Sequence, residues 1–503
     1  MMTKMQTLMQ SLSGKNYLNG AYLASLGERA DIVDPATEQV IGQYPLSTDA
    51  EVDQAIAWAN AAQQVWWGLS ATERAELLHE VARKMKLNAH RVGEVLTREM
   101  GKPYREANWE GGAGAGSIDY YAELARHDNG RVAGPAIAGQ LHMTVKEPLG
   151  VVVSIVPFNY PVLLFAWQAA ASLAAGNAII VKPSDLTPTT LLVLMEAFGH
   201  LPPGLVQVLC GGPSVGKRLV AHRDTHAIAF TGSVPAAQSV AQSAALRFKP
   251  VLIEASGNDP FIVMPSAPVE TAARGAAFAA FLNCGQVCTS AERLYVHADI
   301  YDQFLAALKK EVQALRIGNG LACVDIGPMA SKSERDRFEK MIARAVEQGA
   351  KIISGGKRPV HLQLGWFMEP TILEVTHDMD IMHSESFGPV APICRIHSLD
   401  EAIRYANDSE FGLGANIFTH DLTEAMRAVN EIESGIVWVN TPLNDNDTVP
   451  FGGRKMTGSG RELGGEGLEQ FRRSKMVMIA PHAVSDPEWF PYPDSDAFCN
   501  SNS

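Results

Sequence analysis

GVVVSIVPFNYPVLLFAWQAAASLAAGNAIIVKPSD, residues 150–185, decides the fold. It opens on a continuous β-branched run, GVVVSIV, passes into an apolar stretch of helical length from about Val162, and closes on a second β-branched run, NAIIVK. Two strands without polar alternation, joined by a helix, require a parallel sheet buried on both faces. The unit then repeats. LVQVL is followed by a helix from about Ser214, HAIAF by a helix from about Pro235, and PVLIEA ends the series near residue 255. Alternating strands and crossover helices predict an α/β fold with a parallel sheet covered on both faces, and nucleotides bind such sheets at the carboxyl ends of the strands.

Toward the N-terminus the pattern is helical. Thr48 with Glu51, and Ser70 with Glu73, have capping-box spacing, and the second run extends to about Met100, where Gly101 and Pro103 end it. GGAGAG, Gly111–Gly116, lacks a preceding strand and reads as close helix packing. Gly211-x4-Gly216-Lys217 matches most of a P-loop, but Arg218 stands where a magnesium-binding Ser or Thr is needed, so ATP hydrolysis is rejected. After Gly257 a second αβ pattern begins: an apolar helical run Val269–Leu282, the strand RLYV, helices over about Ile300–Leu315 and Lys332–Glu347, and strands around Ile372, Ala415 and GIVWVN. A boundary is expected near residue 256. The last stretch, 483–503, is rich in Pro, Ser and Asp and reads as an extended tail with an aromatic anchor at Trp489 to Tyr492.

A chain of 503 residues is long enough for two or three domains. With 46% hydrophobic and 19% charged residues it is globular, and a net charge of −13 implies no broad basic surface, so nucleic acid is not an expected partner. The apolar run from Val162 to Ala175 is too short for a membrane span, and MMTKMQTLMQSLSGK has no signal-peptide core. The six cysteines, 210, 284, 288, 323, 394 and 499, show no framework spacing and no second ligand pair for zinc. The expectation is a cytoplasmic protein with no metal site and no membrane partner.

FLNCGQVCTS, Phe281–Ser290, places Cys288 just past the end of the apolar helical run, among small and hydrogen-bonding neighbours. A thiol in a loop on a rigid support suits a nucleophile. Taken alone, a small buried hydrophobe is the commoner role for an intracellular cysteine.

Six motifs in order, spread between about Asn16 and Ile479, make the chain resemble the NAD(P)-dependent aldehyde dehydrogenase superfamily. VPFNYP (Val156, Pro157, Asn159, Tyr160) is similar to the strand-end loop whose Asn donates to an oxyanion. VKPSD, with Lys182, Ser184 and Asp185, resembles the adenosine-ribose segment; NAD-preferring members usually carry Glu there, and Asp185 keeps the charge that repels a 2′-phosphate. FTGSVPAAQ (Phe230, Gly232, Ser233) resembles the pyrophosphate turn at a helix start, with Ala237 where the family often has glycine, and Gly216 belongs to the same coenzyme face. LIEASGND makes Glu254 the general base, 34 residues before Cys288 as is usual, with Ala255 and Ser256 in place of Leu and Gly. ESFGP places Glu385 on the nicotinamide ribose and Phe387 against the ring, and PFGGRKMTGSGRELG resembles the closing signature. Gln168 stands where the family commonly has a Lys that pairs with a Glu matching Glu462, so no charged pair, and no proton relay by that route, is expected.

The resemblance implies a Rossmann-type coenzyme domain (1–127 and 147–256), an αβ catalytic domain (257–455), a small β oligomerisation element (128–146 and 470–482) and the tail 483–503. It implies NAD, with NADP as the lesser alternative, and a homodimer or homotetramer. The implied chemistry is attack of the Cys288 thiolate on an aldehyde, then hydrolysis of the thioester with Glu254 as base; CoA-dependent relatives generally lack that Glu. Tyr160, Trp167 and Phe451 would line the aldehyde tunnel, and Asp445 in LNDNDT at its mouth suits a cationic substrate such as an aminoaldehyde or betaine aldehyde. The alternatives are a semialdehyde, for which Arg454 is the near cation in sequence, an aromatic or aliphatic aldehyde, and a non-catalytic binding protein on the same fold.

Overall fold

A computed structural model describes residues 4–127, 129–483, 485 and 489–491. The segment that decides the fold does so at the centre of an eight-stranded sheet. Val151–Ile155 pairs in parallel with Ala178–Lys182 on one side and with Ala227–Thr231 on the other, and Val206–Val208 and Val251–Glu254 extend the two wings. The chain starts in the middle, winds outward through 178–182 and 206–208, and then crosses back to 227–231. The crevice opens at that reversal, beyond the carboxyl ends Ile155 and Thr231, where α/β sheets bind ligands. Every residue of the 178–182 and 227–231 strands is buried, as continuous β-branched runs demand. The helix Pro161–Ala174, buried along its whole length, closes one face.

The edges of this sheet were not readable from apolar runs. Lys15–Leu18 pairs antiparallel with Val206–Val208 and with Ala21–Ala24, so four short strands (with Arg29–Val33 and Val40–Pro45) precede the helical region that the sequence pattern puts first. Gly458–Ser459, from the closing signature, adds an antiparallel strand against Ile253 and Glu254. Such strands alternate too briefly to show a period. The capping boxes are present: helix Asp49–Trp67 is capped by Thr48 with Glu51, and helix Ala71–Met100 by Ser70 with Glu73 and ended by Gly101 at φ 92°. GGAGAG lies inside helix Tyr104–His127, where a Cβ at Gly111 would meet Ala89 at 2.8 Å and one at Gly114 would meet Ala166 at 2.8 Å.

Beyond Ala255 a second, seven-stranded sheet begins with Asp259–Val263, flanked in parallel by Ala291–His297 and Asn416–Phe418. Helices Val269–Phe281, Tyr301–Gln313 and Lys332–Glu347 bury Phe281, Phe304 and Phe338 against it. A separate compact unit is built on a three-stranded sheet in which Leu141–Pro148 lies between Gly130–Ala133, its antiparallel partner, and Arg472–Ile479. Trp489 and Phe490, expected as anchors, are exposed at 62% and 81%. Tyr492 and most of the expected tail lie outside the described residues. Among the described residues no helix is long and apolar enough to cross a membrane.

Candidate active site

A cavity of about 340 Å³ lies at the reversal of the first sheet, and both sheets contribute to it. The loop after Ile155 supplies Pro157, Phe158 and Asn159; the turn after Ala227–Thr231 supplies Gly232 and Ser233; the segment after Glu254 supplies Ala255 and Ser256. From the second half come Cys288, Glu334, Arg337, Glu385 and Phe387.

Cys288 reaches the cavity because the chain before it turns sharply. Asn283 (φ 52°), Cys284 (φ 58°) and Gly285 (φ 71°) are three successive left-handed residues following helix Val269–Phe281. Two of them are not glycine, a costly conformation that surrounding structure has to enforce. Gly257 then lets the backbone come close: a Cβ there would lie 2.0 Å from the Cys288 carbonyl oxygen. Of the two neighbouring thiols, Cys284 is buried in the second core, and Cys288 is the one partly open. The Cys288 N–H has no hydrogen-bond partner among the described residues.

The Asn159 side chain is buried, and its Nδ2 donates to the Gln286 carbonyl at 3.1 Å. One of its two N–H bonds is thus committed to orientation, and the second remains for a ligand. Glu254 lies behind the cavity wall, 3% exposed, with no hydrogen bond of ordinary geometry at either carboxylate oxygen. The Cys288 thiol and the Thr231 hydroxyl lie close enough to favour its ionised form, but burial dominates and pushes it up to about 7. The same crowding acts on the thiol. Burial, then Glu254, Asp259 and Glu385, raise Cys288 well above an ordinary cysteine, so its ionised form is disfavoured in this setting.

Gln168 links Glu462 to Thr231 and Ser154. Its Nε2 donates to Glu462 Oε1 at 2.9 Å and to Thr231 Oγ1 at 3.3 Å, and its Oε1 accepts from Ser154 Oγ at 2.6 Å. The contact with Glu462 is therefore made without a charged pair, and burial followed by the Glu254 charge raises Glu462 to about 8.

The other sequence candidates divide. Ser233 begins helix Val234–Ala245 with no side-chain cap and a Pro in the first turn, leaving amides free at the cavity. Phe230 packs under Gly232, where a Cβ would meet its ring at 2.9 Å, and Val156 is buried at the strand end. Glu385 Oε1 accepts from the Gly257 N–H at 3.0 Å, and burial and Glu292 push it up to about 8. Phe387, at φ 41°, stands edge-on to Phe158 with ring centres 5.9 Å apart. Lys182 and Asp185 pair at 2.8 Å away from the cavity lining, and Gly216 faces the Lys182 side chain; Ser184 accepts from the Leu186 N–H in a local turn. Trp167 and Phe451 pack together at 5.0 Å, and Tyr160 lies over the Lys102 ammonium at 3.8 Å. Asp445 keeps contact with solvent, yet crowding and Asp447 raise it to about 6; Asp447 itself accepts from Ser117 Oγ at 2.5 Å. Arg454 is exposed and is not part of the lining.

Arg337 and Glu334 were missed. They sit on a helix whose charges read as a solvated face, and only the fold brings Arg337 Nη2 to the Ser386 carbonyl at 2.8 Å. Phe158, Leu164 and Thr231 also line the cavity without a signal of their own. Elsewhere the fold gathers His377, His383 and Asp408, with possible ligand atoms within 4.8 Å, which sequence spacing did not reveal. Tyr295 and Asp408 already occupy both ring nitrogens of His377, at 3.0 and 2.9 Å, which accounts for that cluster without an ion.

The family model described as "Aldehyde dehydrogenase family" matches residues 22–477. The chain is 36% identical to 3,6-anhydro-alpha-L-galactose dehydrogenase of Vibrio sp. (strain EJY3), over 92% of this chain and 98% of the relative. It is also 36% identical to aminoaldehyde dehydrogenase 2, peroxisomal, of Pisum sativum, over 94% and 96%. The structure of betaine aldehyde dehydrogenase from Staphylococcus aureus in complex with NAD+ superposes with a TM-score of 0.93 at 31% identity, covering 96% of this chain and 98% of that one.

Proposed function

This chain belongs to the aldehyde dehydrogenase family, and we propose that it oxidises a cationic or polar aldehyde to the carboxylic acid with NAD+. The observation that carries the reading is the grouping of the Cys288 thiol and an uncommitted N–H of Asn159 in one cavity, with Glu254, neither oxygen satisfied, close to the thiol behind the cavity wall. A buried carboxyl without partners is costly unless a ligand or a reaction uses it.

In this reading Cys288 Sγ bonds to the aldehyde carbon as its proton leaves. Because the thiol is raised and Glu254 titrates near 7, ionised Glu254 takes the thiol proton during attack and releases it to solvent before the hydrolytic step. The carbonyl oxygen, now negative, is held by the free Asn159 N–H and the unpartnered Cys288 N–H; each such donor is worth about 3 to 4 kcal/mol. The bound nicotinamide supplies the hydride acceptor. Glu254 then takes a proton from water, the oxygen adds to the thioester carbon, the C–S bond breaks, and the acid leaves.

The residues present fit the cofactor. The uncapped start of helix Val234–Ala245 suits a pyrophosphate, Gly232 allows close approach, and Lys182 with Asp185 suits ribose hydroxyls. The Asp185 carboxylate favours NAD over NADP, which remains the runner-up. For the aldehyde, the Trp167 and Phe451 rings with Tyr160 and Asp445 suit an aminoaldehyde or betaine aldehyde, the class named for the pea and Staphylococcus relatives. The free thiols support a reducing compartment, here the cytoplasm, and the small three-stranded unit supports assembly as a homodimer or homotetramer.

The test is NAD+ reduction followed at 340 nm across betaine, amino-, hydroxy-, aromatic and aliphatic aldehydes, with Cys288→Ala as control. Turnover led by the cationic aldehydes and lost in the variant is expected. Equal turnover of uncharged aldehydes removes the substrate assignment, and activity surviving in Cys288→Ala removes the mechanism.

A further inference from the structure

Three ionisable side chains next to the cavity take no part in the chemistry above. Lys102 is 1% exposed and Glu110 is fully buried, and they form an ion pair. Replacing such a pair by apolar groups is often neutral or stabilising, so stability alone does not account for it. Its hydrogen bonds show where it acts. Lys102 Nζ also donates to the backbone carbonyl of Asn159 and lies over the Tyr160 ring. Glu110 Oε2 accepts from the N–H groups of Val162 and Leu163, each at 3.2 Å, and so caps the helix Pro161–Ala174, whose own N-cap residue, Tyr160, gives no side-chain bond. One turn earlier, Glu106 Oε2 accepts from the Asn283 N–H at 3.0 Å, and Asn283 Nδ2 donates to the same Asn159 carbonyl at 3.2 Å.

Glu106 and Glu110, four residues apart, share one side of the start of helix Tyr104–His127, and Lys102 lies in the segment just before it. From there they grip both loops of the site: Asn159 with the helix that follows it, and the left-handed Asn283 turn that aims Cys288. Resting on the assignment of Asn159 as oxyanion donor, we propose that Lys102, Glu106 and Glu110 are positioning residues that hold the Asn159 amide and the Cys288 loop in register. Lys102 is the hub, because its ammonium links the Glu110 cap to the Asn159 carbonyl that Asn283 also binds. Burial raises Glu106 to about 7, an added cost of keeping a carboxyl beside the turn. These two glutamates are therefore committed to the protein and do not serve as the anionic subsite for a cationic aldehyde.

The test is a double-mutant cycle on the full-length chain with saturating NAD+ and the best aldehyde of the panel. Lys102→Met/Glu110→Gln, a neutral pair of similar shape, is made in the parent and in Asn159→Ala, and folding is checked by circular dichroism and thermal melting. Misplacing a catalytic group by about 1 Å can cost on the order of 100-fold, so kcat is expected to fall roughly 10- to 100-fold in the parent. In Asn159→Ala the same change is expected to cost less than about threefold, because the group it positions is gone. Equal losses in both backgrounds, or no loss in the parent, overturn the inference while leaving Asn159 as the donor. No loss from Asn159→Ala alone overturns the oxyanion assignment and this inference with it. If the double variant does not fold, Glu110→Gln takes its place in the same cycle, with about tenfold as the expected loss in the parent and the same reading of additivity.

Discussion

The two sides of the site are built on opposite principles. On the Asn159 side the donors and the backbone are tied down, although the Asn159 and Asn283 side-chain oxygens have no partner: the amide donates to Gln286, the backbone carbonyl accepts from Lys102 and Asn283, and Gln286 in turn is held by Asn283 and Ala330. On the carboxyl side Glu254 has no satisfied oxygen, one oxygen of Glu462 is unpaired, and both groups titrate near or above neutrality. Hydrogen bonds fix position, whereas unsatisfied buried carboxyls hold protons loosely enough to exchange them near pH 7. One side orients the carbonyl and the other moves protons.

If that division holds, the largest loss comes from the proton-moving side. Glu254→Gln is expected to lower kcat by about 10² to 10⁴ and to remove the inflection near pH 7 below which the parent loses activity, because the base must be ionised. A rate profile with that inflection intact in the variant assigns the base elsewhere. Asn159→Ala, on the orienting side, is expected to lower kcat by about 10² to 10³ at every pH, without moving the inflection. A shifted pH profile there erases the distinction between the sides.

Stability sharpens the comparison further. Glu254 and Glu106 are raised to about 7, and Asp259, Glu385 and Glu462 to about 8. The folded chain therefore keeps protons that the unfolded chain releases near pH 4 to 5, and stability falls as pH rises from about 5 to 8. Thermal melts should show Tm declining across that window, and less steeply in Glu254→Gln, where one such proton no longer counts. A Tm that rises between pH 5 and 8 contradicts the assignment. The smallest effect is at the mouth: Asp445→Asn is expected to raise KM for a cationic aldehyde about two- to fivefold above pH 6, where the carboxyl is charged, and to leave an uncharged aldehyde unaffected. Equal changes for both substrates would mean that Asp445 only shapes the loop.

Much of this was legible because the signals are local. Thr48 with Glu51 and Ser70 with Glu73 cap their helices through neighbours three residues away, and the helix Lys332–Glu347 has the bounds its pattern predicts. The strand Lys15–Leu18 was not legible, since it is defined by a partner at Val208 almost 200 residues later. Arg337 failed for a related reason: on a charged helix an inward arginine looks like any other.

The alternation of strands and helices between residues 150 and 255 follows from sequence alone, because periodicity acts over a few residues, and Cys288, Glu254 and Asn159 stand out in the sequence through motifs that resemble a known family. Tertiary structure decided the protonation of those groups and what holds them. Burial, and after it the carboxyls of Glu254, Asp259 and Glu385, raise the Cys288 thiol, and Gln168 reaches Glu462 without the charge of the usual lysine. Lys102 meets Asn159 across 57 residues. Burial and charge proximity depend on which distant segments come together, and no local pattern encodes that.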